Sequence, residues 1–531
     1  MFSLLLVSLV LVGLLIYAGA TIGRRERGLP PGPPTVPFLG NLLQIPTSRT
    51  HLKFREWARR YGGIFSLKIG TGTAIVITSP RLVRELLDKK SGIYSHRPPS
   101  FVGNNIIGGG DHVLLMQYGQ QWRTARRAIH QYFQTSMVMS NHLPLVEAEA
   151  VQMVNDLIAE PEGHMQHPKR FSNNSIIMSL VYGTRTPNSE TVHMKKLYSL
   201  MENWSKVMEP GSTPPVDIFP FLKWVPEQFL GMWRTRAKEV SNEMNELYNT
   251  WHQYVIDRRM TSGSRDCFLD RLLDQEEKLD LDRHALYFLC GTLMEGGSDT
   301  TSSIIIAFIH ALTKWPDVLK KAHEEIDRVI GSDRTPVWGD YPNLPYIAAC
   351  VKETQRFRPV VPLAFPHSLA EDDEIDGMKL PKGSDIFINA FGMQHDEERF
   401  PDPDIFDPDH YKGVTALASE LATAPADKRD HYGYGAGRRL CPGINLAERN
   451  LFLAFAKLVW ALDIKRGLDS KGNPLEPDLS NEHAYSAGFL VCAKAYPCRI
   501  TSRSKERRET VSRELRKANT EVFSLYENPL N

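Results

Sequence analysis

The chain has 531 residues, 42% of them hydrophobic and 24% charged, enough apolar material for a large buried core and too much for a disordered or fibrous protein. A net charge of +1 supplies no electrostatic footprint for nucleic acid. The six cysteines, Cys267, Cys290, Cys350, Cys441, Cys492 and Cys498, follow neither a CxxC nor a disulfide-framework spacing, which fits a reducing compartment.

Phe2 to Ile22 is an almost unbroken run of Leu, Val and Ile with small residues, about the ~20 residues a helix needs to cross a bilayer. Arg24, Arg25 and Arg27 follow at once, and the positive-inside rule then places the rest of the chain in the cytosol. A cleaved signal peptide is the competing reading; the length of the run, the basic residues after it and the scattered thiols favour an anchor over residues 1–23. Residues 24–40 form a basic, proline-rich hinge, because Leu29-Pro30-Pro31-Gly32-Pro33-Pro34 can be neither helix nor sheet. No repeat or Ser/Gly linker divides the body, expected as one domain over 41–502. The pattern predicts a helix over His51–Tyr61, a hairpin of Ile64–Ile69 with Ala74–Thr78 turning at Gly70-Thr71-Gly72, and a helix over Arg81–Lys89.

From Ser95 to Gly119 the periodicity dissolves into Pro98, Pro99, Gly103 and Gly108-Gly109-Gly110, which predicts a mobile loop bordering a pocket. In the helix after it Trp122 and Arg126 share a face, as an ordinary surface cation–π pair would. Residues 153–283 read as helical and charged, broken at Pro210–Pro220, and Trp224, Phe229, Leu230 and Trp233 supply an apolar face for membrane, substrate or core. Arg283–Lys314 is apolar almost all round, which predicts one helix through the centre of the domain. Its middle reads Gly296-Gly297-Ser298-Asp299-Thr300-Thr301; each glycine there costs about 1 kcal/mol relative to alanine, and a buried acid costs more. A kink, a close helix crossing or a space kept beside a ligand would each account for it. Further on, Glu353 and Arg356 stand three apart on a helix over Leu344–Phe357, a spacing common in surface ion pairs. Strands follow at Glu374–Leu380 and Ile386–Ala390, and Ser486–Leu490 is read as a loop reaching the pocket. The charge run Arg503–Lys517 shows no core face and is read, with the rest of 503–531, as a solvated tail.

The densest stretch is Tyr432–Asn445, Tyr-Gly-Tyr-Gly-Ala-Gly-Arg-Arg-Leu-Cys-Pro-Gly-Ile-Asn. Gly433, Gly435 and Gly437 let the backbone bend tightly around a ligand, Arg438 and Arg439 add positive charge, and Pro442 suits the first turn of a helix. A cysteine at such a helix start is expected as thiolate, the form that binds metal; an isolated buried cysteine is otherwise a small hydrophobe.

The spacing of Tyr434, Gly437, Arg439, Cys441 and Gly443 resembles the haem-ligand signature of the cytochrome P450 family, with Tyr434 where phenylalanine is usual. Three further stretches agree in order: Trp122 with Arg126, Gly296–Thr301, and Glu353 with Arg356. The resemblance covers Pro30 to Arg499 and implies a mainly α fold with a small β region behind a single N-terminal transmembrane helix. It implies haem b with Cys441 as axial thiolate, and dioxygen as co-substrate. Asp299 would relay protons and Thr300 would offer a hydroxyl to bound oxygen. Trp122 and Arg126 would hold a haem propionate, with Arg97 and His367 as further partners. Glu353 and Arg356 would lock the core behind the haem, with His410 in the place of the usual third arginine. Leu293, Val360, Val361, Leu363 and Phe489 would line the substrate pocket. No flavin or nicotinamide motif is visible, so the resemblance implies electrons from an NADPH–cytochrome P450 reductase, docking near Arg123, Arg127 and Arg438, and residence on the endoplasmic reticulum membrane facing the cytosol. Tyr94–Pro98, Leu197–Ser205 and Pro214–Trp224 are similar to fungal monooxygenases that hydroxylate m-cresol and m-hydroxybenzyl alcohol on the route to patulin, which implies a small phenolic or polyketide-derived substrate oxidised on a methyl group or ring. Two other classes stay open: a reductase-independent haem-thiolate isomerase or dehydratase, against which Asp299 and Thr300 argue, and a non-catalytic haem sensor.

Overall fold

The computed structural model describes residues 21–188, 191–209 and 211–526. Among these no helix is long and apolar enough to cross a membrane; the anchor expected at the N-terminus lies almost wholly outside the described residues.

Helix α1 (Thr50–Tyr61) buries Phe54 and Trp57 against the hairpin of β1 (Ile64–Ile69) and β2 (Gly72–Ile77). The hairpin turns on Gly70 and Thr71 alone, since Ile69 pairs with Gly72, and Gly70 supplies the positive φ of 60° that a two-residue turn demands. The expected three-residue turn is therefore one residue shorter. Helix α2 (Gln120–Phe133) follows the 101–119 segment, which carries a helical turn at Phe101–Ile107. Helices α3 (Leu143–Ala159), α4 (Val192–Met208) and α5 (Trp233–Ser262) come next.

The central helix is two helices, α6 (Arg283–Ser298) and α7 (Thr300–Lys314), joined at Asp299. The hydroxyl groups explain the interruption of the single helix the sequence pattern predicts. Thr300 Oγ1 donates to the Gly296 carbonyl at 2.9 Å, and Ser302 Oγ reaches the Ser298 and Asp299 carbonyls at 3.2 Å each, competing with the backbone amides. Helices α8 (Pro316–Ile330) and α9 (Pro345–Phe357) both start on proline at the first position, where its missing N–H costs nothing.

Strand β3 (His367–Ser368) is followed by a separate hairpin of β4 (Asp373–Ile375) and β5 (Met378–Leu380), and then by β6 (Asp385–Ile388). The main sheet runs β1-β2-β6-β3, with β6 parallel to β2. Helix α10 (Ile444–Ala461) is buried along nearly its whole length and is the axle of the core; Phe455 stacks on Phe308 of α7 with centroids 3.9 Å apart. Strands β7 (Leu462–Arg466) and β8 (Cys498–Ser502) close the C-terminal side.

The charge run beyond residue 503 is a docked helix, α11 (Lys505–Glu521), and not a solvated tail. Its core face is the stripe Arg507, Thr510, Val511 and Ala518. Arg503 and Arg507 both pair with Asp327 of α8 at 2.7 Å, and Glu514 accepts the Thr335 amide at 2.8 Å. Arginine anchors hid this face from an apolar-periodicity reading.

Candidate active site

Cys441 sits at the entrance to α10, its amide donating to the Tyr434 carbonyl at 2.9 Å. Gly437 is required there: its φ is +63°, a Cβ would fall 2.2 Å from the Leu87 carbonyl oxygen, and its amide donates to Asp88 Oδ1 at 2.8 Å. The ring of Tyr434 packs among Ala418, Ala422 and Ile444, 5.4 Å from the ring of His431.

The two arginines of the loop do not ionise the cysteine. Arg438 is exposed and bonds the Tyr118 hydroxyl, while Arg439 turns away from the sulfur to the carbonyls of Ser95 (3.0 Å), Val113 (3.2 Å) and Met116 (2.6 Å). Burial pushes the Cys441 thiol up, opposed by the Gly443 amide and by Arg126. The thiolate expected from the sequence therefore depends on a bound metal, whose charge deprotonates a coordinating thiol outright.

Helix α6 and the start of α7 are not buried all round. Leu293, Gly296, Asp299 and Thr300 are accessible on one stripe of an otherwise buried helix pair, and Gly296 is exposed. A Cβ on Gly296 would meet nothing within 4 Å, whereas one on Gly297 would fall 2.3 Å from Ile177. Gly297 thus serves close packing, and Gly296 keeps open space. Burial raises the Asp299 carboxyl above the usual carboxylate range, against the pull of Lys169.

Of the residues expected to line the pocket, Leu293 and Val361 are partly buried and pack against the main core. Phe489 meets Phe365 in a tilted contact, ring centroids 4.5 Å apart. Val360 is buried, and its carbonyl accepts the Val491 amide at 2.8 Å, tying the two pocket loops together. Leu363 departs from the expectation: it packs against the cluster of α1 and β1. Beside it Ala364 holds a left-handed φ of 51°, a strain of about 1–2 kcal/mol for a non-glycine residue.

On one side of the cavity lies a cluster of cations with no described carboxylate at ion-pair distance. Arg97 is buried and donates to the carbonyls of Leu114 (2.8 Å), Phe365 (2.9 Å) and Pro366 (2.8 Å). Arg126 bonds the Leu440 carbonyl, next to the cysteine. The expected stacking of Arg126 on Trp122 is replaced by Arg439, whose guanidinium lies 4.4 Å over that indole. Burial, Arg97 and Arg126 together push Arg439 down to about 8, and burial brings Arg97 to about 9. Guanidinium stays protonated in proteins, so burial and mutual repulsion make this cluster a place where an anion would be favourable. His367 is buried with Nδ1 on the Tyr94 carbonyl at 2.7 Å, and burial with Arg97 lowers it to about 3. A cysteine with Arg126 and Arg439 beside it, and Arg97 next to Arg439, is a donor set that fits an anionic metallocofactor.

Behind the cysteine loop, Glu353 and Arg356 form a fully buried bidentate pair, both contacts at 2.7 Å, and Arg356 also donates to the carbonyls of Gln394, Pro403 and Ile405. His410 Nδ1 reaches Glu353 Oε1 at 3.2 Å and its Nε2 reaches the Pro401 carbonyl at 2.9 Å, so it does occupy the third position. The 101–119 segment, read as a mobile loop, is anchored by Arg97 and Arg439 on one side and by His112, bonded to Glu295 at 3.0 Å, on the other. Neither His112 nor Glu295 stood in a recognisable motif, and no signal in the sequence marked the pair.

The sequence model for cytochrome P450 matches residues 30–481. The chain is 50% identical over 533 residues to the cytochrome P450 monooxygenase yanC of Aspergillus niger, covering 99% of each chain. It is 51% identical over 527 residues to patH of Aspergillus clavatus, covering 98% of this chain and 99% of that one, and 49% identical over 525 residues to patH of Penicillium expansum, covering 99% of each. A solved zebrafish cytochrome P450 with abiraterone shares the fold, with a TM-score of 0.66 at 22% identity, over 86% of this chain and all of that one. The chain belongs to the cytochrome P450 family and is a cytochrome P450 monooxygenase. Its cofactor is haem b with a thiolate-ligated iron, and its co-substrate is dioxygen.

Proposed function

We propose that this enzyme hydroxylates a small aromatic or polyketide-derived compound, on a methyl group or the ring, in fungal secondary metabolism, with electrons from an NADPH-dependent reductase. The carrying observation is the character of the side chains left partly accessible: apolar Val113, Leu114, Leu293, Val361 and Leu490, the tilted pair of Phe365 and Phe489, and the polar Asp299 and Thr300. Aromatic rings favour the offset and edge contacts such side chains offer.

When bound, the haem supplies a thiolate-ligated iron that activates dioxygen for insertion into a C–H bond. Cys441 would be its ligand, and Arg97, Arg126 and Arg439, with Trp122, would hold its carboxylates. Gly296 keeps the space that oxygen needs. Thr300 positions a hydroxyl beside that space, and Asp299, whose carboxyl is raised by burial, would relay protons inward. Phe365 and Phe489 orient the substrate ring and exclude water.

Docking of the reductase is supported by Arg123 and Arg438, exposed on either side of Tyr118 at 5.6 and 5.2 Å from its ring, with exposed Arg127 nearby. A membrane-facing placement on the endoplasmic reticulum is supported by the connection between α4 and α5. It exposes Phe221 (57%), Trp224 (85%) and Phe229 (81%), and Phe219 packs at Gly70, whose carbonyl accepts the Gly23 amide at 3.1 Å. The apolar patch thus stands beside Gly23, near the first described residue.

The test is turnover in microsomes with NADPH, reductase and small phenols such as m-cresol under isotopically labelled dioxygen. One labelled oxygen atom in the product supports the proposal. NADPH-independent conversion without label would overturn it in favour of an isomerase. A carbon monoxide difference band near ~450 nm, lost in Cys441→Ser, checks the ligation separately.

A further inference from the structure

Two adjacent residues of the 101–119 segment are each paired with α6. His284 Nδ1 meets Asp111 Oδ2 at 2.5 Å, and His112 Nε2 meets Glu295 Oε2 at 3.0 Å. His284 and Glu295 are three helical turns apart and so lie on nearly the same face. The other oxygen of Glu295 accepts the Tyr248 hydroxyl from α5. His112 is fully buried, and its ring lies parallel to Trp204 of α4, centroids 6.0 Å apart and planes 6° apart. The carboxylate fixes the imidazole with Nε2–H as donor. One buried acid therefore joins a loop to two helices, and stacking adds a third.

The same loop is gripped from the cofactor side. Arg439 holds the carbonyls of Val113 and Met116, and Arg97 holds that of Leu114. Between the two grips the side chains of Val113 and Leu114 remain partly exposed, and Glu295 immediately precedes Gly296, where an added Cβ would meet open space. The segment thus has two supports, and only the arginine support would belong to cofactor binding.

We propose that the His112–Glu295–Tyr248 joint determines substrate size: it positions Val113 and Leu114 as a ceiling that admits a single aromatic ring. The inference rests on the small-aromatic reading above. His112 and Glu295 act through the ceiling, as positioning residues, and touch neither substrate nor cofactor.

The haem-loaded enzyme tests this with two iron ligands, read by Soret titration. Imidazole is too short to meet the ceiling, whereas phenylimidazole presents a ring to it. Wild type binds phenylimidazole the more tightly. In His112→Phe, which keeps the stack on Trp204 and loses the hydrogen bond, the affinity ratio falls by at least about tenfold, as expected for losing a bond to a buried carboxylate, with imidazole unchanged. His112→Gln, which retains a donor, keeps the wild-type ratio. An unchanged ratio in His112→Phe, an equal fall in His112→Gln, or equal loss for both ligands overturns the inference. If His112→Phe does not retain haem, Tyr248→Phe serves instead: it frees one oxygen of Glu295, and the ratio falls about threefold, an unchanged ratio again overturning the inference. A wild type without preference for phenylimidazole would instead sink the small-aromatic reading.

Discussion

His410 stands where the family has an arginine, and its contribution is expected to depend on pH. Glu353 is buried and accepts four hydrogen bonds: Arg356 Nε and Nη2 at 2.7 Å each, the Asp407 amide at 2.8 Å and His410 Nδ1 at 3.2 Å. A hydrogen bond to a charged group is worth about 1.5–3 kcal/mol. Three donors remain after His410→Ala, so no carboxylate is orphaned and the loss falls at the lower end, about 1–2 kcal/mol or roughly 5–30-fold in an equilibrium. Burial alone would lower the imidazole pKa, but the bond to Glu353, its charge and the Pro401 carbonyl outweigh burial and raise it. A folded-state pKa above the unfolded value of about 6.5 means the charged contribution is complete below that value and is lost as pH rises through the raised one. A cleft of about 490 Å³ lined by His410, Phe400, Tyr411, Arg399 and Arg429 leaves room for a longer side chain, so His410→Arg should fold and be insensitive over this range. The assay is haem transfer to apomyoglobin at pH 6 and pH 8.5. His410→Ala should lose haem faster than wild type at pH 6, the gap narrowing at pH 8.5. An equal gap at both, or a wider one at pH 8.5, would refute the reasoning.

Two substitutions and a truncation follow from the structure in the same way. Thr300→Ala should leave haem content and NADPH oxidation near wild type but divert most electrons to hydrogen peroxide, read by comparing peroxide with product. Gly437→Ala meets both a positive φ and the Leu87 carbonyl, so a penalty of at least about 2 kcal/mol is expected, and expressed protein should carry little haem by pyridine haemochrome assay. Truncation after Ser502 removes Glu514, Arg503 and Arg507 and uncovers the buried Lys457, which donates to Thr335 at 2.6 Å and is held down to about 8 by burial. Uncoupling so many buried polar partners should cost about 3–5 kcal/mol, visible as a lowered thermal midpoint, and a truncated chain as stable as the full one would restore the solvated-tail reading.

The sequence disclosed those parts of the site whose chemistry is local. Cys441, Gly437 and the Gly296–Thr301 stretch break ordinary helix and loop preferences, and a broken preference is legible in one dimension. Trp122 and Arg126 share a helix face as expected, yet the partner of the indole is Arg439, more than three hundred residues away; helical spacing shows which residues can meet within a helix and is silent on what reaches it from outside. The pairing of His112 with Glu295 was invisible for the same reason. Helix α11 was missed because its buried stripe is narrow and partly arginine, so that its anchoring is ionic where periodicity reports only apolar residues. Asp299 breaking the central helix was implicit in its hydroxyl neighbours, whose competition for carbonyls outweighed the apolar pattern.

The site keeps several features that are unfavourable alone: Ala364 at positive φ, an interrupted central helix, an acid raised by burial, and the arginines Arg97, Arg126 and Arg439 with no described carboxylate at ion-pair distance. A cofactor's carboxylates would offset the last of these. Binding to the native state alone stabilises it by mass action. The carbonyls of the 101–119 segment that Arg97 and Arg439 hold are gripped by the same guanidinium groups that would meet the carboxylates, so a bound cofactor that orders these arginines would also stabilise the segment.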